Sequence, residues 1–306
     1  MKIEFNNVGY SYQSGHQALH DINLCFEGDQ SVAIIGQNGA GKTTLAKQLN
    51  GILRPTQGSL TIDGTEISER TTAQWSKRVG YVFQNPDDQL FLETVREEFA
   101  FGPRNLGVDE ATIDSRIDKV AALTGLQGKL DVHPADLSPT EKKFCGIGAV
   151  IMMDPDAVVF DEPTCGQDYV GDVRLHDLIA ELKREGKLCI AISHDMKFVA
   201  ANFDRVVVMC QGEVLLDGTP QEVFSQVDVL RKSYVTPPPI TRVAQGVGLG
   251  KTVLTVPQFV ETLEETRAGL VPLLKTSAIN NNHYEIVGHG GQSSMTQRKN
   301  KGNECQ

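Results

Sequence analysis

Within His20–Phe26 the apolar residues Ile22, Leu24 and Phe26 alternate with polar ones, the period of a strand with one buried face. Lys2–Phe5, Ser59–Asp63 and Val79–Phe83 read as further strands. Short apolar runs at Ser31–Ile35, Ala157–Phe160 and Leu188–Ser193 add three more, and Asp204–Cys210 and Glu213–Leu216 flank Gln211-Gly212, a hairpin signal. Between these strands the period changes. Leu45, Leu49, Ile52 and Leu53 fall at helical spacing, residues 92–135 look helical and carry many charges, and further helices are predicted near 139–153, 172–184 and 257–268. Strands alternating with helices predict an α/β fold with a parallel sheet. Thr236-Pro237-Pro238-Pro239 marks a boundary, because consecutive prolines continue neither a helix nor a sheet ladder. From about 276 the chain is polar, rich in Asn, Gln, Ser and Gly, and is expected to be disordered.

The chain has 306 residues, enough for one large α/β domain and a smaller appendage. Its formal net charge of −10 argues against a nucleic-acid partner. No apolar run approaches the roughly 18 residues that span a bilayer, and Met1–Phe5 lacks the apolar core of a signal peptide. A cytosolic protein is expected, with any membrane role supplied by another chain. The six cysteines are scattered without a C-x-x-C pair and read mostly as small core residues.

Two motifs carry chemistry. Gly36-Gln37-Asn38-Gly39-Ala40-Gly41-Lys42-Thr43, followed by Thr44, fits the phosphate-loop pattern G-x-x-x-x-G-K-[ST] without a mismatch, between a predicted strand and a predicted helix. Its glycines let backbone N–H groups curl around phosphate oxygens, and the helix N-terminus adds partial positive charge. Lys42 is placed to reach the β- and γ-phosphates, and the Thr43 hydroxyl to ligate Mg²⁺. Farther on, Ala157-Val158-Val159-Phe160-Asp161-Glu162 is an apolar strand ending in two carboxylates at the ligand-binding edge of a parallel sheet. Asp161 suits the Mg²⁺ shell, and Glu162 suits a base that polarises water against the γ-phosphate. Gly246–Thr252 imitates a second phosphate loop, but its spacing is one residue short and no strand precedes it.

With these motifs in this order, residues 2–235 resemble the nucleotide-binding subunits of ATP-binding cassette transporters. The resemblance implies a P-loop NTPase of cassette type over 1–235: a mostly parallel central sheet, an antiparallel β subdomain, a helical subdomain over about 88–153, then a small extension at 236–275 and a tail at 276–306. It also implies ATP and Mg²⁺ as ligands. Tyr12 matches the aromatic that stacks on adenine. Gln84 matches the glutamine that contacts Mg²⁺ and the attacking water, His194 the histidine that touches the γ-phosphate, and Asp168 a loop aspartate crossing a dimer interface. Ser138 matches a residue offered to the ATP of a partner cassette. Phe83–Phe91 and Phe101–Gly107 are similar to the energy-coupling-factor subgroup, which includes cobalt, nickel and vitamin importers. That narrower likeness implies a subunit on the cytoplasmic face of the membrane, partnered by a second cassette, a transmembrane scaffold protein and a substrate-binding membrane protein. Asp87 and Asp88 fall in the segment that docks on the scaffold. Two rival readings are a soluble cassette ATPase acting on ribosomes or DNA and a cassette that has lost hydrolysis. The first lacks the usual second cassette or basic face, and the second is opposed by Glu162, His194 and Gln84.

The pattern breaks at one place. The family's Leu-Ser-Gly-Gly-Gln/Glu signature reads Leu137-Ser138-Pro139-Thr140-Glu141 here. Pro139 has no N–H to donate, and Thr140 adds bulk where glycine leaves room. Ser138-x-x-Glu141 is at the same time a capping box with Pro at the first helical position, so a clean helix start is expected. Phe144 stands where the family usually has Arg, and Gln167 where Leu is usual. Altered closure on one face favours a heterodimer over a homodimer.

Overall fold

The computed structural model describes residues 1–266. One compact unit runs from Met1 to Thr262. Of the second unit, Leu263–Gln306, residues 263–266 are described and are helical. The expected tail at 276–306 and the ends of the 236–275 extension and the 257–268 helix lie outside the described residues.

The chain opens with β1 (Lys2–Ser11), β2 (Gln17–Glu27) and β3 (Ser31–Ile35), then α1 (Lys42–Gln48), β4 (Gln57–Ile62), β5 (Thr65–Glu66), α2 (Thr72–Ser76) and β6 (Val79–Val82). Next come α3 (Val95–Asn105), α4 (Glu110–Thr124) and α5 (Pro139–Ile151), then β7 (Ala157–Asp161), α6 (Tyr169–Arg184), β8 (Leu188–Ile192) and α7 (Met196–Asn202). The unit continues with β9 (Arg205–Cys210), β10 (Glu213–Gly218), α8 (Pro220–Ser225), α9 (Val227–Lys232) and α10 (Pro239–Gly246). One sheet has the order β2-β1-β4-β5, with antiparallel pairs throughout. The other has the order β10-β9-β3-β8-β7-β6 and is parallel except for the β9–β10 hairpin.

Every residue of β3, β7 and β8 is buried. Their side chains alternate between two cores, as the strand period of two requires. Ala33, Val158, Phe160, Cys189 and Ala191 join the helices, while Val32, Ile34, Val159, Ile190 and Ile192 join the antiparallel sheet and α1. Parallel strands that are covered on both faces explain the unbroken apolar runs. Because β3 and β7 run the same way in one sheet, the phosphate loop and the Asp161-Glu162 pair leave it at the same edge.

The structure corrects the sequence reading in several places. Ile52 and Leu53 do not continue α1. Gly51, at φ +73°, stops the helix, the Leu53 N–H returns to the Lys47 carbonyl at 2.9 Å, and Ile52 is exposed. The charged stretch 92–135 is two helices and two single 3-10 turns, with α4 started by Asp109 as its cap. The proline run turns the chain without separating units: Val235 and Leu254 belong to the main core, and the Gln245 amide reaches the Phe224 carbonyl at 3.0 Å. One reading stands unchanged: the imitation phosphate loop follows a helix, α10, and no strand precedes it.

Candidate active site

The phosphate loop begins where β3 ends and closes where α1 begins. Gly41 has φ +97°, and a Cβ there would stand 2.7 Å from the Ala18 carbonyl oxygen and 2.9 Å from Leu19. That position therefore needs glycine twice over, for conformation and for space. The loop is braced by the β9–β10 hairpin. Gln211 and Gly212 both have positive φ, as a type I′ turn requires, and the Gly212 N–H donates to the Ala40 carbonyl at 3.1 Å.

Lys42 folds back over the loop. Its Nζ donates to the carbonyls of Gly36 at 2.8 Å and Gln37 at 3.0 Å, and lies 3.3 Å from His194 Nε2. Burial lowers the Lys42 pKa against the opposing pull of Glu162 and Asp161. The ammonium is thus already held in the loop and can be shared with phosphate oxygens.

At the ends of β7 and β8 the acids diverge in environment. The Tyr81 hydroxyl donates to Asp161 Oδ2 at 2.7 Å, while Asp161 Oδ1 is buried with no hydrogen-bond partner. Glu162 adopts φ +50°, rare for a non-glycine residue, and its N–H donates to the Ile192 carbonyl at 3.0 Å. Its Oε1 lies 3.0 Å from His194 Nε2, and its Oε2 accepts the His194 N–H at 3.3 Å. Burial raises the Glu162 pKa, with Lys42 pulling the other way, and burial together with the Lys42 charge lowers that of His194. A neutral His194 has one choice at Nε2. Protonated there, it donates to Glu162; unprotonated, it accepts from Lys42. Asp195 Oδ1 caps α7 by accepting the N–H groups of Lys197 and Phe198, which fixes the turn that carries His194.

These groups line one open cavity of about 1040 Å³. Asn38, Gly39, Ala40, Gly41, Lys42, Thr43, Gln84, Glu162 and His194 all face it. Gly36 and Gln37 lie on an adjoining recess, also edged by His194. Tyr12 stands beside the loop: its hydroxyl pairs with Thr44 Oγ1 at 2.8 Å, and its ring meets that of Tyr10 edge-on at 4.9 Å. Thr44 and Asp161 are buried and do not line the cavity, and Ser138 and Asp168 lie elsewhere. Ser138 caps α5, accepting the Glu141 N–H at 3.3 Å while Glu141 accepts the Ser138 N–H at 3.0 Å, so the capping box is formed with Pro139 at the first helical position. Asp168 caps α6 through the Gly171 N–H at 2.7 Å. Both are exposed and neither lines this cavity.

Residues 19–165 match the family described as ABC transporter. An energy-coupling factor transporter ATP-binding protein of Methanocaldococcus jannaschii is 37% identical over 276 residues, covering 89% of this chain and 98% of the relative. A second such protein, from Caldanaerobacter subterraneus subsp. tengcongensis, is 36% identical over 283 residues, 90% of this chain and 98% of its own. Among solved structures, cbiO1 from Clostridium perfringens, described as part of the ABC transporter complex cbiONQ, is 34% identical with a TM-score of 0.69, covering 79% of this chain and 98% of that one. The chain belongs to the ATP-binding subunits of ABC transporters. It is an ATPase that binds ATP.

Within this ABC ATPase, Thr43 and Gln84 offer oxygens to the cavity, while Asp161 is buried behind it and does not line it; its orphaned Oδ1 is a hard donor that suits a divalent cation. Sequence reasoning missed several site residues. Thr236, Pro237, Pro239 and Arg242 bring the C-terminal segment to the cavity wall, although they lie some 200 residues from the phosphate loop. Cys165 is exposed and lines the cavity, unlike the cysteines of the apolar stretches. Cys145 and Cys189 are buried as expected, and burial pushes both thiols up to about 12. Asp87 is paired within the chain, to Lys142 at 2.9 Å, and its side chain stays exposed. Among the described residues, no helix is long and apolar enough to cross a membrane.

Proposed function

We propose that this ATPase powers an energy-coupling-factor importer that takes up a vitamin or a transition-metal ion through partner membrane proteins. It works at the cytoplasmic face of the membrane as a peripheral subunit, paired with a second and different cassette. The observation that carries the reading is the likeness to energy-coupling factor relatives along 98% of their own length. A second supports it: in the segment after Gln84, Phe91 and Phe101 are 66% and 44% exposed and meet edge-on at 5.0 Å, an exposed apolar pair, with the exposed Asp88 three residues before Phe91 in the chain. Such a pair suits an apolar partner helix.

In the hydrolysis we infer, the phosphate-loop amides of 36–41 cradle the phosphates and Lys42 moves its donors onto the β- and γ-phosphate oxygens. Tyr12 stacks on adenine. Thr43, Asp161 and Gln84 hold Mg²⁺, which when bound neutralises charge building on the transferring phosphoryl group. Glu162 accepts the proton of the attacking water, a role helped by a carboxyl that burial makes more basic. His194, donating from Nε2, holds the Glu162 carboxylate until the γ-phosphate draws it away. Ser138 and the N-terminus of α5 close on the ATP of the partner cassette, and Asp168 lies at that same interface.

The test is detergent extraction of the tagged chain from native membranes. Two polytopic membrane proteins and a second cassette are expected to co-purify. Asp88→Lys with Phe91→Ser is expected to abolish membrane-protein capture while ATP affinity stays within about twofold. Recovery of the chain alone in the soluble fraction, or equal loss of both properties, counts against the reading.

A further inference from the structure

Three consecutive residues of α5 reach three different parts of the molecule. Lys142 pairs with Asp87 in the loop after β6 at 2.9 Å. Phe144 carries the Arg174 guanidinium of α6 over its ring at 5.4 Å. Lys143 points into the protein and is only 5% exposed. Its Nζ donates to the Glu162 carbonyl at 3.0 Å and to the Cys165 carbonyl at 3.3 Å. The Glu162 carbonyl also accepts the Cys165 N–H at 3.2 Å, so the chain from 162 to 165 is a closed turn with a lysine bolted to both ends.

A buried ammonium is costly unless its donors are satisfied. No carboxylate forms an ion pair with Lys143 among the described residues; the contacts that satisfy it are main-chain oxygens of the turn bearing Glu162. Those contacts fall where the backbone most needs restraint, since Glu162 has a left-handed φ that costs energy for a side-chain-bearing residue. With its N–H on Ile192 and its carbonyl on Lys143 and Cys165, Glu162 has little main-chain freedom, and its carboxylate is aimed at His194.

We infer that Lys143 is a positioning residue for hydrolysis: it fixes the backbone of Glu162 and makes the aim of that carboxylate depend on the seating of α5. A rotation of α5 that withdraws Nζ releases the turn, so the helix whose N-terminus carries Ser138 and Pro139 also controls the carboxylate of its own chain. This role concerns the ATPase chemistry itself and does not rest on the importer reading.

The experiment compares Lys143→Met, Lys143→Arg and Lys143→Gln in the full chain. Displacement of a reacting group by about 1 Å costs on the order of a hundredfold in rate, so Lys143→Met is expected to lower kcat about tenfold to a hundredfold. KM and the affinity for a fluorescent ATP analogue should stay within about threefold, because the phosphate loop is untouched. Lys143→Arg, which keeps donors at the carbonyls, should recover most of the rate. Hydrogen exchange adds a readout independent of turnover: the amide of Cys165 should lose protection in the Met variant and keep it in the Arg variant. If Lys143→Met does not fold, Lys143→Gln, whose shorter amide cannot hold both carbonyls, is expected to lower kcat at least threefold and to lose part of the Cys165 protection. A kcat within twofold of wild type, or parallel losses of rate and ATP affinity in all three variants, overturns the inference.

Discussion

Replacing Tyr81 by Phe removes a single oxygen from a buried pair and leaves the ring in place. The Tyr81 hydroxyl is 2.7 Å from Asp161 Oδ2, and both residues are about 5% exposed. No cavity of consequence opens, so the cost is that of the hydrogen bond. A bond to a charged acceptor contributes about 1.5–3 kcal/mol, roughly twice a neutral one. The upper part of that range is expected, because Oδ1 of the same carboxylate already lacks a partner and Tyr81→Phe leaves the whole group unsupported. At about 2–4 °C per kcal/mol for a large domain, thermal unfolding of the nucleotide-free protein should shift down by roughly 4–12 °C. Urea unfolding should show a lower midpoint at unchanged slope. A double-mutant cycle isolates the cause: in an Asp161→Asn background the acceptor is neutral, so Tyr81→Phe should cost only about 1 kcal/mol. A loss below about 0.5 kcal/mol in the wild-type background, or the same loss in both backgrounds, would refute the reasoning.

Two further outcomes are expected. Glu162→Gln should keep ATP affinity and stop hydrolysis, trapping a closed ATP-bound dimer, whereas Lys42→Ala should weaken ATP binding itself; steady-state turnover and equilibrium binding separate them, and near-wild-type turnover by Glu162→Gln would remove its role as base. Pro139→Gly with Thr140→Gly should speed the chain purified alone by about two to three orders of magnitude, since one backbone donor to developing phosphate charge is worth about 2–4 kcal/mol, and should matter less for ATP held on this chain's own Lys42 when a partner with an unaltered signature is present. Fast turnover by the chain alone, unimproved by the glycines, would show that the altered segment is harmless and leave no case for a heterodimer.

What the sequence reveals of this site is what is contiguous. The phosphate loop needs strand, glycines, Lys42 and helix in one stretch of chain, and the acid pair needs only the end of β7, so both can be read directly. The capping box at Ser138 and the hairpin at Gln211-Gly212 are legible for the same reason: each closes within four residues. Contacts between distant segments are not legible. Tyr81 and Asp161 meet only because β6 and β7 pair in parallel, and Lys143 meets Glu162 only because α5 packs beneath the sheet edge. The short helices α2, α7, α8, α9 and α10 span five to eight residues, too few turns for periodicity to rise above composition. Ile52 and Leu53 fail in the opposite direction, because their spacing is helical while Gly51 has already ended the helix.

The departures from the family pattern gain a physical meaning once their positions in space are compared. Thr140 and Gln167 are 27 positions apart in the chain, yet both stand against Gly171 near the start of α6. A Cβ at Gly171 would be 3.1 Å from Thr140 Cγ2 and would run into Gln167 Oε1. The third departure, Phe144, lies one helical turn beyond Thr140 and holds Arg174, one turn beyond Gly171. So three of the four departures, all but Pro139, lie along a single α5–α6 seam, and a cation that the pattern puts on α5 comes from α6 instead. Gln167 Oε1 is buried there without a hydrogen-bond partner, a cost of about 1–3 kcal/mol that a single chain leaves uncompensated. Asp168, which caps the same end of α6, is the next residue, and Tyr169 beside it is 81% exposed. The seam thus carries an unsatisfied acceptor bordered by an exposed aromatic, and a partner surface that donates a hydrogen bond to Gln167 would offset that cost.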